Sequence, residues 1–124
     1  WGMNKAVDSS KILPAVGRKE GKQKIKKLIE ERVAYYARIM EVTYQRISMR
    51  NQKTRWGSCS SQGNLNFNNR LLFVPEELVD YVVVHELAHR KEMNHSKAFW
   101  DVVEKYMPDY KERRAKLREY HIES

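Results

Sequence analysis

The stretch from Pro75 to His95 constrains this 124-residue chain most. It opens Pro75-Glu76-Glu77-Leu78-Val79-Asp80. Proline suits a first helical turn, where its missing N–H costs nothing, and Glu76, Glu77 and Asp80 suit the positive end of the helix dipole. Leu78, Val82 and the apolar positions that follow recur at helical spacing, which predicts a helix of about four turns carrying His85-Glu86-Leu87-Ala88-His89. Residues four apart share a helix face, so the imidazoles of His85 and His89 can aim at one point. Two neutral imidazoles at that spacing suit a zinc ion, with Glu86 beside them as a carboxylate that need not ligate. A third ligand from outside the helix would leave one position open for water, as in a hydrolytic site rather than a structural one.

His95 is the favoured third ligand. Arg90, Lys91 and Glu92 can finish the helix, and Asn94 is expected to end it in left-handed geometry, so that the chain turns back and presents His95. Ser96 then reads as the N-cap of a new helix from Lys97 through Val103. The acidic alternatives for the third ligand are Glu92 and Glu104. The spacing equals the metzincin pattern His-Glu-x-x-His-x-x-Gly-x-x-His, but Glu92 stands where a glycine would permit a sharp turn. Zinc held by three histidines would bring the pKa of a bound water from about 16 toward 7, and Glu86 would accept its proton and pass it to a leaving amine. Candidates for stabilising the oxyanion are Tyr106, Tyr110, Arg114 and Arg70. Asp80, Glu92 or Asp101 could orient the histidines, although solvent exposure is the default for each.

The rest of the chain supplies a scaffold. Ile25, Leu28, Ile29, Val33, Tyr36, Ala37 and Met40 recur at three- and four-residue steps, predicting an amphipathic helix from about Gly21 to Val42 that backs the histidine-bearing helix. Gln45 to Arg50 alternates as a strand, and Asn51-Gln52-Lys53 makes a turn. Trp56-Gly57-Ser58-Cys59 and Leu65-Asn66-Phe67-Asn68 read as two more strands joined through Gly63-Asn64. A strand there could pair with an extended substrate, with Gly57 allowing close backbone approach. Trp56 and Cys59 are read as packing residues rather than as functional groups. Phe99 and Trp100 are expected to form a hydrophobic wall under the metal, and Met107 to fill the core. Two helices should close the chain, Ser96 to Met107 ahead of Pro108, and Tyr110 to about Tyr120. Residues 1–18, with Pro14 and Gly17, read as a flexible lead-in to a single domain over 19–124.

Length and composition agree with one packed domain. A chain of this size can bury one core, and 41% hydrophobic residues with three tryptophans argue against disorder. No run of 18 apolar residues exists to span a membrane. The lone Cys59 excludes an internal disulfide, and no apolar signal-peptide core precedes residue 20, so the expected compartment is the cytoplasm. The net charge of +8 is uneven. Residues 1–55 hold 14 Lys/Arg against 5 Asp/Glu and the remainder 10 against 11, that is +9 and −1. A basic first half could touch nucleic acid, although a solvated helix face is the commoner explanation.

The segments Arg55-Trp56-Gly57-Ser58-Cys59-Ser60, Asn66 to Leu72, Asp80 to His89, Asn94-His95-Ser96, Phe99-Trp100 and Pro108-Asp109-Tyr110 resemble, in order and spacing, the YgjP-like metallopeptidase family. The resemblance covers about residues 25–118. It implies an α+β, zincin-like minimal metallopeptidase domain. Its parts would be a backing helix, a small and mostly antiparallel sheet of about three strands, the zinc-binding helix and two C-terminal helices. It further implies one zinc ion on His85, His89 and His95, Glu86 as the catalytic carboxylate, and peptides or proteins as substrates. Rival readings are a zinc hydrolase of nucleotides or other non-peptide bonds, a DNA-associated protease, and a non-enzymatic module stabilised by zinc.

Overall fold

Apolar residues at three- and four-residue steps close helix α1 over Lys19–Met40 in the computed structural model, which describes residues 6–7 and 19–122. Ile25, Ile29, Val33, Ala37 and Met40 are buried along one stripe, while Lys22, Lys24, Lys26 and Lys27 face solvent. Burying an Ile or Val side chain contributes about 1.5–3 kcal/mol, so packing rather than propensity holds this helix. It ends at Glu41, whose φ of 57° is left-handed and lets the Val42 amide donate to the Ala37 carbonyl at 3.0 Å. The lead-in expected over 1–18 lies outside the described residues except for Ala6–Val7, strand β1.

Three strands follow: β2 (Arg46–Arg50), β3 (Gly57–Cys59) and β4 (Asn64–Asn68). Their order in the sheet is β2-β4-β3. β3 and β4 form the expected antiparallel hairpin, with Gly63 at φ 88° in its loop and Gly57 opposite Phe67. β2 runs parallel to β4, with Ile47 opposite Leu65. The sheet is therefore mixed, where a mostly antiparallel one was expected. The reason is physical: period-two alternation assigns residues to faces but does not choose neighbours. Here β4, with Leu65 and Phe67 buried, takes the centre and is hydrogen-bonded on both edges.

Asn68 joins the sheet to what precedes and follows it. Its Nδ2 donates to the carbonyls of Gln52 (2.7 Å) and Arg55 (2.9 Å), and its Oδ1 accepts from the Arg70 amide (3.0 Å), capping a 3₁₀ turn over Asn69–Phe73. Helix α2 (Glu76–Ala88) then runs through the middle of the molecule, with Leu78, Val79 and every residue from Tyr81 to Ala88 buried. A helix covered on all sides needs neighbours on all sides. α1 packs on it, as do β3, α3 (Lys97–Tyr106) and α4 (Tyr110–Arg118). Arg32 of α1 grips Asp80 of α2 through two bonds of 2.7 and 3.1 Å. Beyond α4, β5 (His121–Ile122) pairs in parallel with β1. No helix among the described residues is long and apolar enough to cross a membrane.

Candidate metal centre

One turn of α2 separates His85 from His89, and their ring centroids lie 5.3 Å apart. His95 reaches them from the loop after α2, placing its Nε2 3.2 Å from His85 Nε2. One ligand nitrogen from each of the three imidazoles falls within 4.8 Å of the others. Two imidazole nitrogens on one tetrahedral zinc, each about 2.0–2.1 Å from it, would sit roughly 3.3 Å apart, so this donor set fits such an ion.

The turn that delivers His95 differs from expectation. Glu41 is the only non-glycine residue with positive φ among those described, so Asn94 is not left-handed. The helix tightens instead: the amides of His89, Arg90 and Lys91 donate to the carbonyls of Glu86, Leu87 and Ala88 at 3.0–3.2 Å. A turn that needs no positive φ needs no glycine, which explains why Glu92 is tolerated at that position. Ser96 caps α3 as expected, its hydroxyl accepting from the Phe99 amide at 3.4 Å.

Burial sets the protonation of the cluster. His85 is pushed down to about 2, chiefly by desolvation and then by the neighbouring imidazoles. Desolvation also lowers His89 and His95. All three are thus held neutral, the form that binds metal. His89 Nδ1 lies 3.2 Å from the Glu92 carbonyl oxygen, which assigns the proton to Nδ1 and frees Nε2. His85 Nδ1 lies 3.5 Å from the Tyr81 hydroxyl. Phe99, fully buried, touches all three rings at centroid distances of 4.5–5.0 Å, so the expected aromatic wall is present.

Glu86 is 2% exposed, and its buried Oε2 has no hydrogen-bond partner among the described residues. Burial raises its carboxyl to about 8, with the Arg55 charge opposing. It lies against Gly57. A Cβ there would meet the Asn66 carbonyl at 3.0 Å, Glu86 Oε2 at 3.1 Å and Glu86 Cγ at 3.2 Å, so glycine is what lets the edge strand approach this closely. Between β3 and α2 opens a cavity of about 260 Å³, lined by Arg55, Gly57, Ser58, Cys59 and Met93 together with His85, Glu86, His89 and His95.

Other expected participants lie elsewhere. Glu92 and Glu104 are not in the ligand cluster, and Glu92 acts through its backbone carbonyl. Asp80 is taken by Arg32, and Asp101 pairs with Lys97 in solvent. Tyr106, Tyr110, Arg114 and Arg70 do not line the cavity. The cation that does is Arg55, which sequence reasoning missed; its place two residues before Gly57 was the available signal. Trp56 and Met107 are core residues. Cys59 is half-buried, and its thiol is raised to about 11 by burial and by Glu86, which leaves it a poor nucleophile.

Comparison with known proteins agrees with this geometry. The model of the YgjP-like, metallopeptidase domain family matches residues 5–120. The chain is similar to the crystal structure of the metallopeptidase zymogen abylysin of Pyrococcus abyssi, at 28% identity and a TM-score of 0.64, over 71% of this chain and 90% of that one. It is also similar in fold to the metallopeptidase zymogen jannalysin of Methanocaldococcus jannaschii, at 24% identity and a TM-score of 0.62, over 71% and 91% of the two chains. A search of curated proteins finds no match. The three-histidine cluster and the matched span lead to one conclusion: this chain belongs to the YgjP-like metallopeptidase family and is a metal-dependent peptide hydrolase.

Proposed function

We propose that the enzyme uses one zinc ion, held by His85, His89 and His95, and that Glu86 is its general base in peptide-bond hydrolysis. The observation that carries this reading is a buried carboxyl, its Oε2 without a hydrogen-bond partner among the described residues, beside three imidazoles whose nitrogens converge. Zinc, when bound, supplies a Lewis acid that polarises the substrate carbonyl and acidifies water. The protein's own groups do the rest. Glu86 Oε2 takes the proton from the attacking water and delivers it to the departing amine nitrogen. The Arg55 guanidinium, the cation on the cavity wall, offers positive charge to the carbonyl oxygen as it becomes an oxyanion. β3 pairs with β4 on one edge only among the described residues, and its other edge can take an extended peptide as a further strand.

Residues 19–124 form the catalytic domain in this reading, and the lone half-buried cysteine supports a reducing, cytoplasmic setting. Metal analysis together with metal-dependent cleavage of a mixed peptide and nucleotide panel tests the proposal. Zinc at one per chain with peptide cleavage is expected, and nucleotide turnover alone would replace the substrate class. The exposed Lys22, Lys24, Lys26 and Lys27 on α1 support a second reading, recruitment to nucleic acid. It requires cleavage stimulated by DNA and suppressed by salt.

A further inference from the structure

The three imidazoles are not held in the same way. His85 and His89 each present Nδ1 to an oxygen, the Tyr81 hydroxyl at 3.5 Å and the Glu92 carbonyl at 3.2 Å. Such contacts fix the ring orientation of metal-binding histidines. His95 has none: its one hydrogen-bond-range neighbour among the described residues is His85 Nε2, on the metal side. It also sits exposed on the loop after α2. An imidazole in that position would lose rotamer freedom on binding metal unless something else ordered it first.

A flat surface is available for this. The His95 ring stacks on Trp100, with centroids 6.1 Å apart and planes 28° from parallel. Trp100 stacks in turn on Tyr110, at 5.4 Å and 19°. The Arg114 guanidinium lies 4.7 Å from the Trp100 centroid, and its buried Nε has no hydrogen-bond partner among the described residues. A guanidinium lying over an indole face is attracted to it by the ring quadrupole. Both Tyr110 and Arg114 come from α4, which supplies nothing to the cavity wall.

We propose that Trp100, clamped by Tyr110 and Arg114, is the positioning residue for the third metal ligand. Stacking does for His95 what a hydrogen bond does for His85 and His89. This makes α4 part of the metal centre, through Trp100. The inference rests on the reading of His95 as a ligand.

Zinc dissociation constants by chelator competition, visible spectra of the cobalt-substituted protein and melting of the metal-free protein test it together. Arg114→Gln and Trp100→Leu should weaken zinc roughly 10- to 100-fold and alter the cobalt spectrum. Trp100→Phe, which keeps a ring, should stay close to wild type. Metal-free Arg114→Gln should melt where wild type does, which a purely structural role would not allow. In a His95→Ala background, Arg114→Gln should cost nothing further, because the ring it positions is gone. Full additivity in that background, or zinc affinity unchanged in both Arg114→Gln and Trp100→Leu alongside an unaltered cobalt spectrum, overturns the positioning role while leaving His95 a ligand. If His95→Ala itself leaves zinc affinity intact, the ligand assignment fails, and this inference fails with it.

Discussion

A carboxyl with a buried, unpartnered oxygen is costly to keep, and Glu86 Oε2 has no hydrogen-bond partner among the described residues although it lies beside three imidazoles. Glu86→Gln preserves the shape and removes the proposed base. We expect full zinc occupancy with turnover lowered by about 10²–10⁴, read as kcat beside metal content. Wild-type cleavage by the fully loaded variant would remove Glu86 from the mechanism. Gly57→Ala places a methyl against a backbone carbonyl that cannot rotate away, and against Glu86 itself. Activity should fall by roughly tenfold or more as Glu86 shifts, with little change in zinc affinity. Titration of the metal-stripped protein separates the two buried groups. His85 sits near 2 when folded against 6.5 when free, so the unfolded chain binds the extra proton between those values and stability rises with pH there. Glu86 sits near 8 against 4.5, so the folded chain binds the extra proton and stability falls as pH climbs through that window. The two trends oppose one another from 4.5 to 6.5, giving a broad maximum with losses on either side. Urea midpoints in chelator across pH check this, and Glu86→Gln should abolish the alkaline fall.

Packing decided more at the scale of elements than any single residue did. The four helices were legible because each shows apolar spacing, a cap or a stop: the α1 stripe, Pro75, Ser96 and Pro108. The sheet was legible as three strands but not as a mixed sheet, since nothing local tells β2 to lie beside β4. Nor did the loop from Arg90 to His95 follow its sequence signal, because a tightened helix end replaced the left-handed asparagine. The α1–α2 contact carries its own prediction. Arg32 and Asp80 are 27% and 14% exposed and doubly bonded, so Arg32→Ala should cost about 2 kcal/mol in chemical denaturation. Ser96→Ala removes the cap of α3, worth about 1 kcal/mol, and should weaken zinc as well because His95 is the preceding residue.

If His85, His89 and His95 hold the metal as proposed, binding is coupled to folding across the whole molecule, since the three come from a core helix and a surface loop that only the folded chain brings together. Chelation should therefore lower the melting temperature, and free zinc at about a thousandfold above its Kd should add about 4 kcal/mol to stability. An unchanged melting curve on chelation would mean that the cluster does not hold the ion. The linear chain determined the chemistry: His85, Glu86 and His89 are one helical turn, and helical periodicity alone points His85 and His89 to one side. It also determined that a helix must restart at Ser96, which leaves His95 on a short tether. Only the tertiary structure decided which cation lines the cavity, that Gly57 is the surface on which Glu86 rests, and that Tyr110 and Arg114 of α4 lie against Trp100. Those facts depend on which strand and which helices become neighbours, and contacts between separate elements leave no period along the chain.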